Sequence, residues 1–178
     1  MSFLFRNRWE LSPDQFHISN ERFDDVVKLI VKKVAYELAC DCEPVESTLA
    51  KAVLYGEGAS IDMGYSFEYD LASTICDEYV TLVVQLPSLF TGNTLTIQFD
   101  EDEKRVVQFD RENAEYEMFY AAFHSSCEYA MTPLESGYRL CLVYKLTWRG
   151  GMGHSLLRSL KQTQKTTEEI STKLSQVY

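Results

Sequence analysis

The sequence contains no apolar run long enough to span a bilayer, and its first ten residues lack the layout of a signal peptide. These two absences predict a soluble protein inside the cell, in the cytoplasm or nucleus, with no membrane contact. Basic residues are also few, since 17 Lys and Arg stand against 27 Asp and Glu and give a formal net charge of −10. No basic stripe offsets this charge, so the composition argues against nucleic acid as a partner.

Cysteine pairs and histidines are scarce as well. The five cysteines are an odd number without a Cys-x-x-Cys pair, and four of them lie in apolar runs, which predicts reduced structural thiols. Cys40 and Cys42 could contribute to a soft-metal site, but two thiolates without nearby histidines fall short of the four ligands of zinc. The sequence has three histidines, which are His17, His124 and His154.

The sequence does contain enough apolar material for one core, because 46% of its 178 residues are hydrophobic and 13% are aromatic. We therefore expect one domain over residues 1–150. Three glycines in the segment WRGGMGH break the pattern of the last strand. Residues 151–178 are predicted to form this glycine break and a C-terminal helical tail, whose apolar positions are interrupted by a polar stretch.

Residues 24–39 are predicted to form an amphipathic helix that packs on an apolar surface. Within this range apolar residues recur at steps of three and four, which places them on one face. These residues are Val26, Val27, Ile30, Val31, Val34 and Leu38. Asn20 or Asp24 is expected to cap the start of the helix, because either side chain offers an oxygen to free backbone amides.

After residue 43 the sequence changes to short runs of β-branched and aromatic residues, which are typical of strands. The runs are AVLYGEGASI, VTLVVQLPSLF, NTLTIQF, RVVQF, YEMFYAAF and GYRLCLVYKLTW, with turn signals such as GEG, DREN and PLESG between them. The acidic stretch FDEDEK at 99–104 is predicted to be a solvated hairpin turn. Six or more strands after one long helix, with no helices between them, predict an antiparallel sandwich or barrel.

The segment FYAAFHSSCEYAMTPLESGYRLCLVYKL, at 119–146, resembles the prolyl-4-hydroxylase-related branch of the iron- and 2-oxoglutarate-dependent oxygenases. In that branch a segment of the form FYxDxEHEVxPVTSGYRLxLxYNL carries the last iron-binding histidine and a cosubstrate-binding arginine. Matches at RNRWELSPDQFHISN, LYGEG and TLVVQLPSLFTGN extend the resemblance over about residues 6–150. The resemblance implies a mainly β, α+β chain that folds as a double-stranded β-helix (jelly roll), with an N-terminal packing helix and a C-terminal helix.

The iron site of this family is a facial triad of two histidines and one carboxylate, in which the first two ligands form a His-x-Asp pair. Alignment backwards from TLVVQLPS places Glu68 and Asp70 at this pair, so the aspartate matches and the histidine does not. Counting forward from LYGEG instead places Gly64 and Ser66 there, and both ligands are then missing. We prefer the first alignment because it depends on the longer block and preserves a carboxylate.

Tyr129 stands at the position of the distal histidine in this resemblance. A phenol is a poor ferrous ligand, because its oxygen stays protonated near neutral pH. His124 lies five residues earlier, and this odd offset along an extended strand points it to the opposite face. We therefore expect His124 to be a packed or surface residue, with a displaced metal ligand as the alternative.

The cosubstrate half of the family's site is retained in this resemblance. Arg139 matches the arginine that pairs with the far carboxylate of 2-oxoglutarate, and Tyr55 matches an aromatic hydroxyl near it. The planar fork of arginine suits this task, because it gives two parallel, charge-assisted hydrogen bonds to a carboxylate. The alternative is that Arg139 pairs with a neighbouring Glu or Asp of the chain.

These residues support three functional hypotheses. The first is a degenerate oxygenase-like domain, a non-catalytic binding or scaffold protein that acts through protein partners and needs no cofactor. The second is an active 2-oxoglutarate-dependent dioxygenase with an atypical metal site, which would use Fe(II) and 2-oxoglutarate on a protein or peptide. The third is an organic-acid or hard-cation binder without turnover, since Glu68, Asp70 and Tyr129 offer oxygen donors alone.

Overall fold

The structure of the protein is a computed structural model that describes residues 7–37, 44–66, 80–100, 103–125 and 127–148. Side chains are described in these ranges except at 63–66, 99, 100 and 103. The predicted glycine break and helical tail, Glu68, Asp70 and the Cys40–Cys42 pair lie outside the described residues.

The described ranges contain one α-helix and eleven strands, together with a 3-10 turn at Pro13–Gln15. Their bounds are α1 Phe23–Glu37, β1 Arg8–Leu11, β2 Val45–Tyr55, β3 Ile61–Ser66, β4 Val80–Gln85, β5 Phe90–Gly92, β6 Leu95–Asp100, β7 Glu103–Val107, β8 Phe119–His124, β9 Glu128–Met131, β10 Leu134–Gly137 and β11 Arg139–Trp148.

The strands form antiparallel sheets that face each other across one apolar core. The larger sheet has the order β1-β2-β11-β4-β8, and the smaller layer consists of a four-stranded sheet, β3-β9-β6-β7, and the pair β10-β5. The inner core joins the two layers and includes Val53, Tyr55, Phe109, Phe123, Tyr129 and Cys141. This two-layer antiparallel roll is the architecture of a double-stranded β-helix, as the sequence predicted.

The helix α1 packs on the outer face of the five-stranded sheet, because its apolar residues and those of β4 and β11 share a second cluster. This outer core includes Val27, Ile30, Val34, Leu82, Val84 and Leu142. Residues of the larger sheet alternate between the two cores, as the two-residue period of a strand requires. The predicted apolar helix face is thereby confirmed over its described part.

Several boundaries differ from the predictions. Asn20 lies ahead of α1, and its Oδ1 accepts a hydrogen bond from the Arg22 amide at 3.0 Å. The strand β2 begins at Val45, seven residues before the predicted run, because its polar first half still pairs with β11. Strands β1, β9 and β10 were not predicted, since their four-residue lengths give too little alternation to recognise. The prediction of a turn at PLESG was wrong to that extent, because the segment contains β10, and β3 was predicted only at its first residue.

The acidic stretch at 99–104 does lie in a hairpin, since β6 and β7 pair with Asp100 opposite Glu103. The DREN segment also forms a turn, between β7 and β8. Within the described residues, no helix is long and apolar enough to cross a membrane.

Two buried thiols, Cys127 and Cys141, are free cysteines, which agrees with the prediction of reduced structural thiols at these two positions. Desolvation by burial raises the pKa of Cys127 from its ordinary value of 9.0 to about 12, although a hydrogen bond from the His124 backbone to the sulfur lowers it in part. Burial likewise raises the pKa of Cys141. The folded protein therefore holds protons that the unfolded chain releases above about pH 9.

Raising the pH above 9 is therefore expected to destabilise the protein. The unfolded chain then binds fewer protons than the folded chain, so each such thiol lowers the free energy of unfolding by up to about 1.4 kcal/mol per pH unit. Urea unfolding at pH 8, 9 and 10 measures this slope. Cys127→Ala should flatten it by the contribution of one thiol, and an unchanged slope in this variant would contradict the assignment.

Candidate functional site

Arg139 begins β11 and points its side chain into the inner core. It pairs with Tyr55 on β2, and the alternate residues Cys141 and Val143 of the same strand belong to the inner core. The residue is 1% exposed. A permanently charged guanidinium is therefore enclosed between the two sheets.

The guanidinium of Arg139 is held by one amide and by aromatic rings. Its Nη1 donates to Oδ1 of Asn93 at 2.7 Å and more weakly to the Asn93 carbonyl at 3.3 Å. Its central carbon lies 4.2 Å from the centre of the Phe109 ring, with Phe90 and Tyr55 each at 5.8 Å. These rings give the cation a cation–π environment, and the Met131 sulfur lies 3.4 Å from Nη1.

No carboxylate of the described residues lies within ion-pair distance of Arg139, so the described residues do not supply the Glu or Asp partner considered above. The buried Nε of Arg139 also has no hydrogen-bond partner among them. Burial of a charge without a counterion costs several kcal/mol, and hydrogen bonds and cation–π contacts offset only part of this. The charge of Arg139 therefore has no carboxylate counterion among the described residues.

Asn93 is a site residue that the sequence analysis missed. It is fully buried between β5 and β6, and its φ of +57° lies in the left-handed region, which asparagine tolerates better than most residues. While Oδ1 accepts from Arg139, Nδ2 donates to the Thr132 carbonyl at 3.0 Å and to the Ala59 carbonyl at 3.4 Å. Asn93 ends the matched segment TLVVQLPSLFTGN and begins the predicted run NTLTIQF, but neither pattern indicated the orientation of its side chain.

A second group of charges lies beside this site, on β1 and β2. Arg8 and Lys51 both form ion pairs with Glu10, the latter at 3.1 Å. Arg8 pairs in register with Tyr55, and its central guanidinium carbon lies 5.8 Å from the centre of that ring. The predicted residue Tyr55 is therefore positioned between two guanidinium groups, those of Arg8 and Arg139.

Tyr129, which the resemblance places at the distal iron ligand, is fully buried on β9. It pairs in register with Tyr65 and Ile97, and its ring centre lies 6.1 Å from that of Phe123. The ring therefore lies in the inner core, and a phenol is in any case a poor ligand for ferrous iron.

His124 does not substitute for the missing ligand. It pairs with Val80, an outer-core residue, so its side chain lies on the α1 side of the sheet, away from Tyr129. This confirms the predicted packed histidine, which is 3% exposed. The part of the chain that the structure describes contains no group of three His, Cys, Asp or Glu that could hold a metal ion, so the described residues do not fit iron.

A surface groove of about 630 Å³ lies between α1 and the start of β2. Its lining includes Leu29, Tyr36 and Val45 together with the lysines Lys28 and Lys32. The groove is on the outer face of the five-stranded sheet, which separates it from Arg139. It therefore makes no contribution to the interior site.

Several solved structures have a fold similar to that of this chain, and they include the following three. An oxidoreductase of the 2OG-Fe(II) oxygenase family from Burkholderia pseudomallei has 11% sequence identity and a TM-score of 0.48, over 74% of this chain and 61% of that chain. A prolyl-4-hydroxylase from Pseudomonas putida has 17% identity and a TM-score of 0.48, over 80% and 72%. IDO from Bacillus thuringiensis has 17% identity and a TM-score of 0.42, over 76% and 63%.

Neither the scan against protein-family models nor the search of curated proteins gives a match. The chain spans less than two thirds of the Burkholderia and Bacillus structures that it resembles. The Burkholderia and Pseudomonas structures belong to the group of oxygenases that the sequence resembles. At 11% and 17% identity, their similarity to this chain is one of fold alone. Function must be argued from the residues of the site.

Proposed function

We propose that this oxygenase-like domain is a non-catalytic binding protein, which uses Arg139 to hold the carboxylate of a small organic acid. The observation that supports this most is the buried Arg139, which has no carboxylate partner among the described residues. The proposal combines two of the hypotheses from the sequence, the degenerate domain and the organic-acid binder.

The surroundings of Arg139 suit a carboxylate. The guanidinium is flat and is stacked on Phe109 at 4.2 Å, and Asn93 fixes its Nη1 end. Nε, at the other end of the fork, has no partner among the described residues, so it is an available donor for an incoming oxygen. Charge-assisted hydrogen bonds of this kind are about twice as strong as neutral ones, and the enclosed site strengthens them further.

The absence of turnover is supported by the replaced iron ligand. Tyr129 stands where the resemblance requires a histidine and is packed against Phe123. The remaining matched positions, Glu68 and Asp70, bring carboxylates alone, and carboxylates favour magnesium, calcium or manganese over ferrous iron. We therefore propose no reaction step for this domain.

Calorimetric titration of the purified chain with 2-oxoglutarate, with and without Fe(II) under anaerobic conditions, tests the proposal. We expect 2-oxoglutarate to bind with an affinity that does not depend on iron. Arg139→Lys, which keeps the charge but loses the planar fork, should weaken binding at least ten-fold. Arg22→Lys, a change at an exposed arginine, is the matched control and should leave binding unchanged.

Two results would contradict the proposal. Stoichiometric iron that raises the affinity for 2-oxoglutarate, and that is lost in Asp70→Ala, would support the active dioxygenase instead. Binding that is absent in the unmodified chain, or equal in the Arg139→Lys variant, would exclude Arg139 as an organic-acid site.

A further inference from the structure

We propose that the groove between α1 and the start of β2 binds an acidic segment of a partner protein, through apolar side chains in the groove and the lysines around them. The groove lies on the outer face of the five-stranded sheet, whereas Arg139 points to the inner face. This surface is therefore separate from the organic-acid site, and its partner would bind whether or not Arg139 holds an acid.

The groove is concave and has the size of a binding site. Its volume of about 630 Å³ falls within the range of roughly 300–1,000 Å³ that is typical of ligand sites. The helix contributes Leu29 and Tyr36, and the first residues of β2 contribute Val45 and Ser47. A concave surface of this size suits a segment of polypeptide better than it suits the flat surface of a membrane.

The apolar part of the groove contains two large side chains that the fold does not bury. Leu29 is 64% exposed and Tyr36 is 72% exposed. Val31 and Ala35, which also line the groove, are buried and connect this surface to the outer side of the sheet. Exposed apolar side chains that cluster at a concave site are typical of protein interaction surfaces, where aromatic residues are enriched.

Lysines surround this apolar part. Lys28, Lys32 and Tyr36 follow one another at steps of four residues, so they form one row along the helix, and Lys33 lies one turn after Leu29. No Asp or Glu is among the described residues that line the groove. The lining is thus basic on a chain whose net charge is −10, and it complements an acidic partner.

The charge of Lys32 is available to such a partner. Lys32 is exposed and forms no ion pair with another described residue. Lys28 pairs with Asp25 at 3.0 Å, but both side chains are 73% exposed. Surface ion pairs of this kind are weak, so Lys28 can exchange Asp25 for a carboxylate of the partner.

A second copy of this chain is a poorer occupant of the groove. Two chains that each have a net charge of −10 repel one another. A partner that carries its negative charge mainly in the docking segment avoids this repulsion. We therefore infer a segment in which Leu or aromatic residues are interspersed with Asp and Glu.

Selection of a phage-displayed library of random short peptides on the full chain tests the inference without assuming a sequence. We expect the enriched peptides to contain both acidic residues and Leu or aromatic residues. In fluorescence anisotropy, the affinity of a labelled enriched peptide should fall at least ten-fold in Lys32→Glu and in Tyr36→Ser. Lys104→Glu makes the same change of charge on β7, in the other layer, and should leave binding unchanged.

The inference is overturned if no peptide is enriched, if the enriched peptides lack acidic residues, or if Lys32→Glu binds them as the unmodified chain does. Dimers of the chain in sedimentation that Lys32→Glu dissociates would make a second copy the occupant instead. Binding to phosphatidylserine vesicles that is lost in the same variant would make it a membrane surface. Lys32 and Tyr36 are exposed, so both variants are expected to fold, and circular dichroism checks this.

Discussion

Replacement of Gly137 by alanine is expected to destabilise the protein by about 2–5 kcal/mol. Gly137 has a φ of +79°, and a Cβ atom added there would lie 2.2 Å from the Leu89 carbonyl oxygen and 3.0 Å from the Phe90 Cα. Both neighbours are backbone atoms, at the first residue of β5 and at the residue before it, so they cannot move aside without breaking the β10-β5 pair. The melting temperature should fall by roughly 10 °C.

Gly58→Ala is the matched control for this prediction. Gly58 has nearly the same φ, +80°, but an added Cβ would meet only the Asn7 Nδ2 atom, at 3.9 Å. This variant should therefore show the cost of the backbone conformation alone, about 1–2 kcal/mol. Equal destabilisation of the two variants would show that the close approach at Gly137 is not a steric constraint.

Removal of the Asn93 side chain is the second change for which we expect a large effect. Asn93→Ala deletes the Oδ1 acceptor of the buried Arg139 and the Nδ2 donor to the Thr132 carbonyl. The loss of a hydrogen bond to a charged group, together with an unsatisfied carbonyl, should destabilise the fold by about 3–5 kcal/mol. Asn93→Gly removes the same atoms but relaxes the positive φ, so the difference between the variants measures the backbone term.

Asn93→Asp distinguishes a structural role of Asn93 from a role in binding. The new carboxylate would lie beside Arg139 and neutralise it, so affinity for a small organic acid should fall at least ten-fold while much of the stability is retained. Chemical denaturation and calorimetric titration measure the two quantities separately. Asn20→Asp is the control for both, because this exposed side chain only accepts a hydrogen bond from the Arg22 amide, which an aspartate can also accept. Unchanged binding in Asn93→Asp would argue against Arg139 as the anion site.

The sequence was sufficient to predict the parts of this fold whose physical signals are local. The amphipathic helix α1 has a strong 3.6-residue period, and β4, β8 and β11 are long apolar or aromatic runs that the core explains. The segment at 119–146 indicated Arg139 and Tyr129 as candidate site residues, although β9 and β11, which carry them, lie in different sheets. Such features can be recognised in a single segment.

Features that depend on distant segments were not predicted. Asn93 acts on Arg139 across 46 residues of sequence, and the contact depends on a positive φ that the sequence signals only as a turn. Arg8 joins the same site through β1, a four-residue strand without a readable period. The partner of a short edge strand is fixed by tertiary packing, which local patterns do not encode.

The place of Arg8 on an edge strand has a thermodynamic consequence. Among the described strands, β1 pairs with β2 alone, through four register pairs, so its local opening costs much less free energy than global unfolding. Opening of this edge would separate Arg8 from the Tyr55 ring, which Arg139 also contacts. A ligand that binds Arg139 beside this ring would favour the closed edge, so the stability of the N-terminal edge and the affinity for the ligand would be one linked equilibrium.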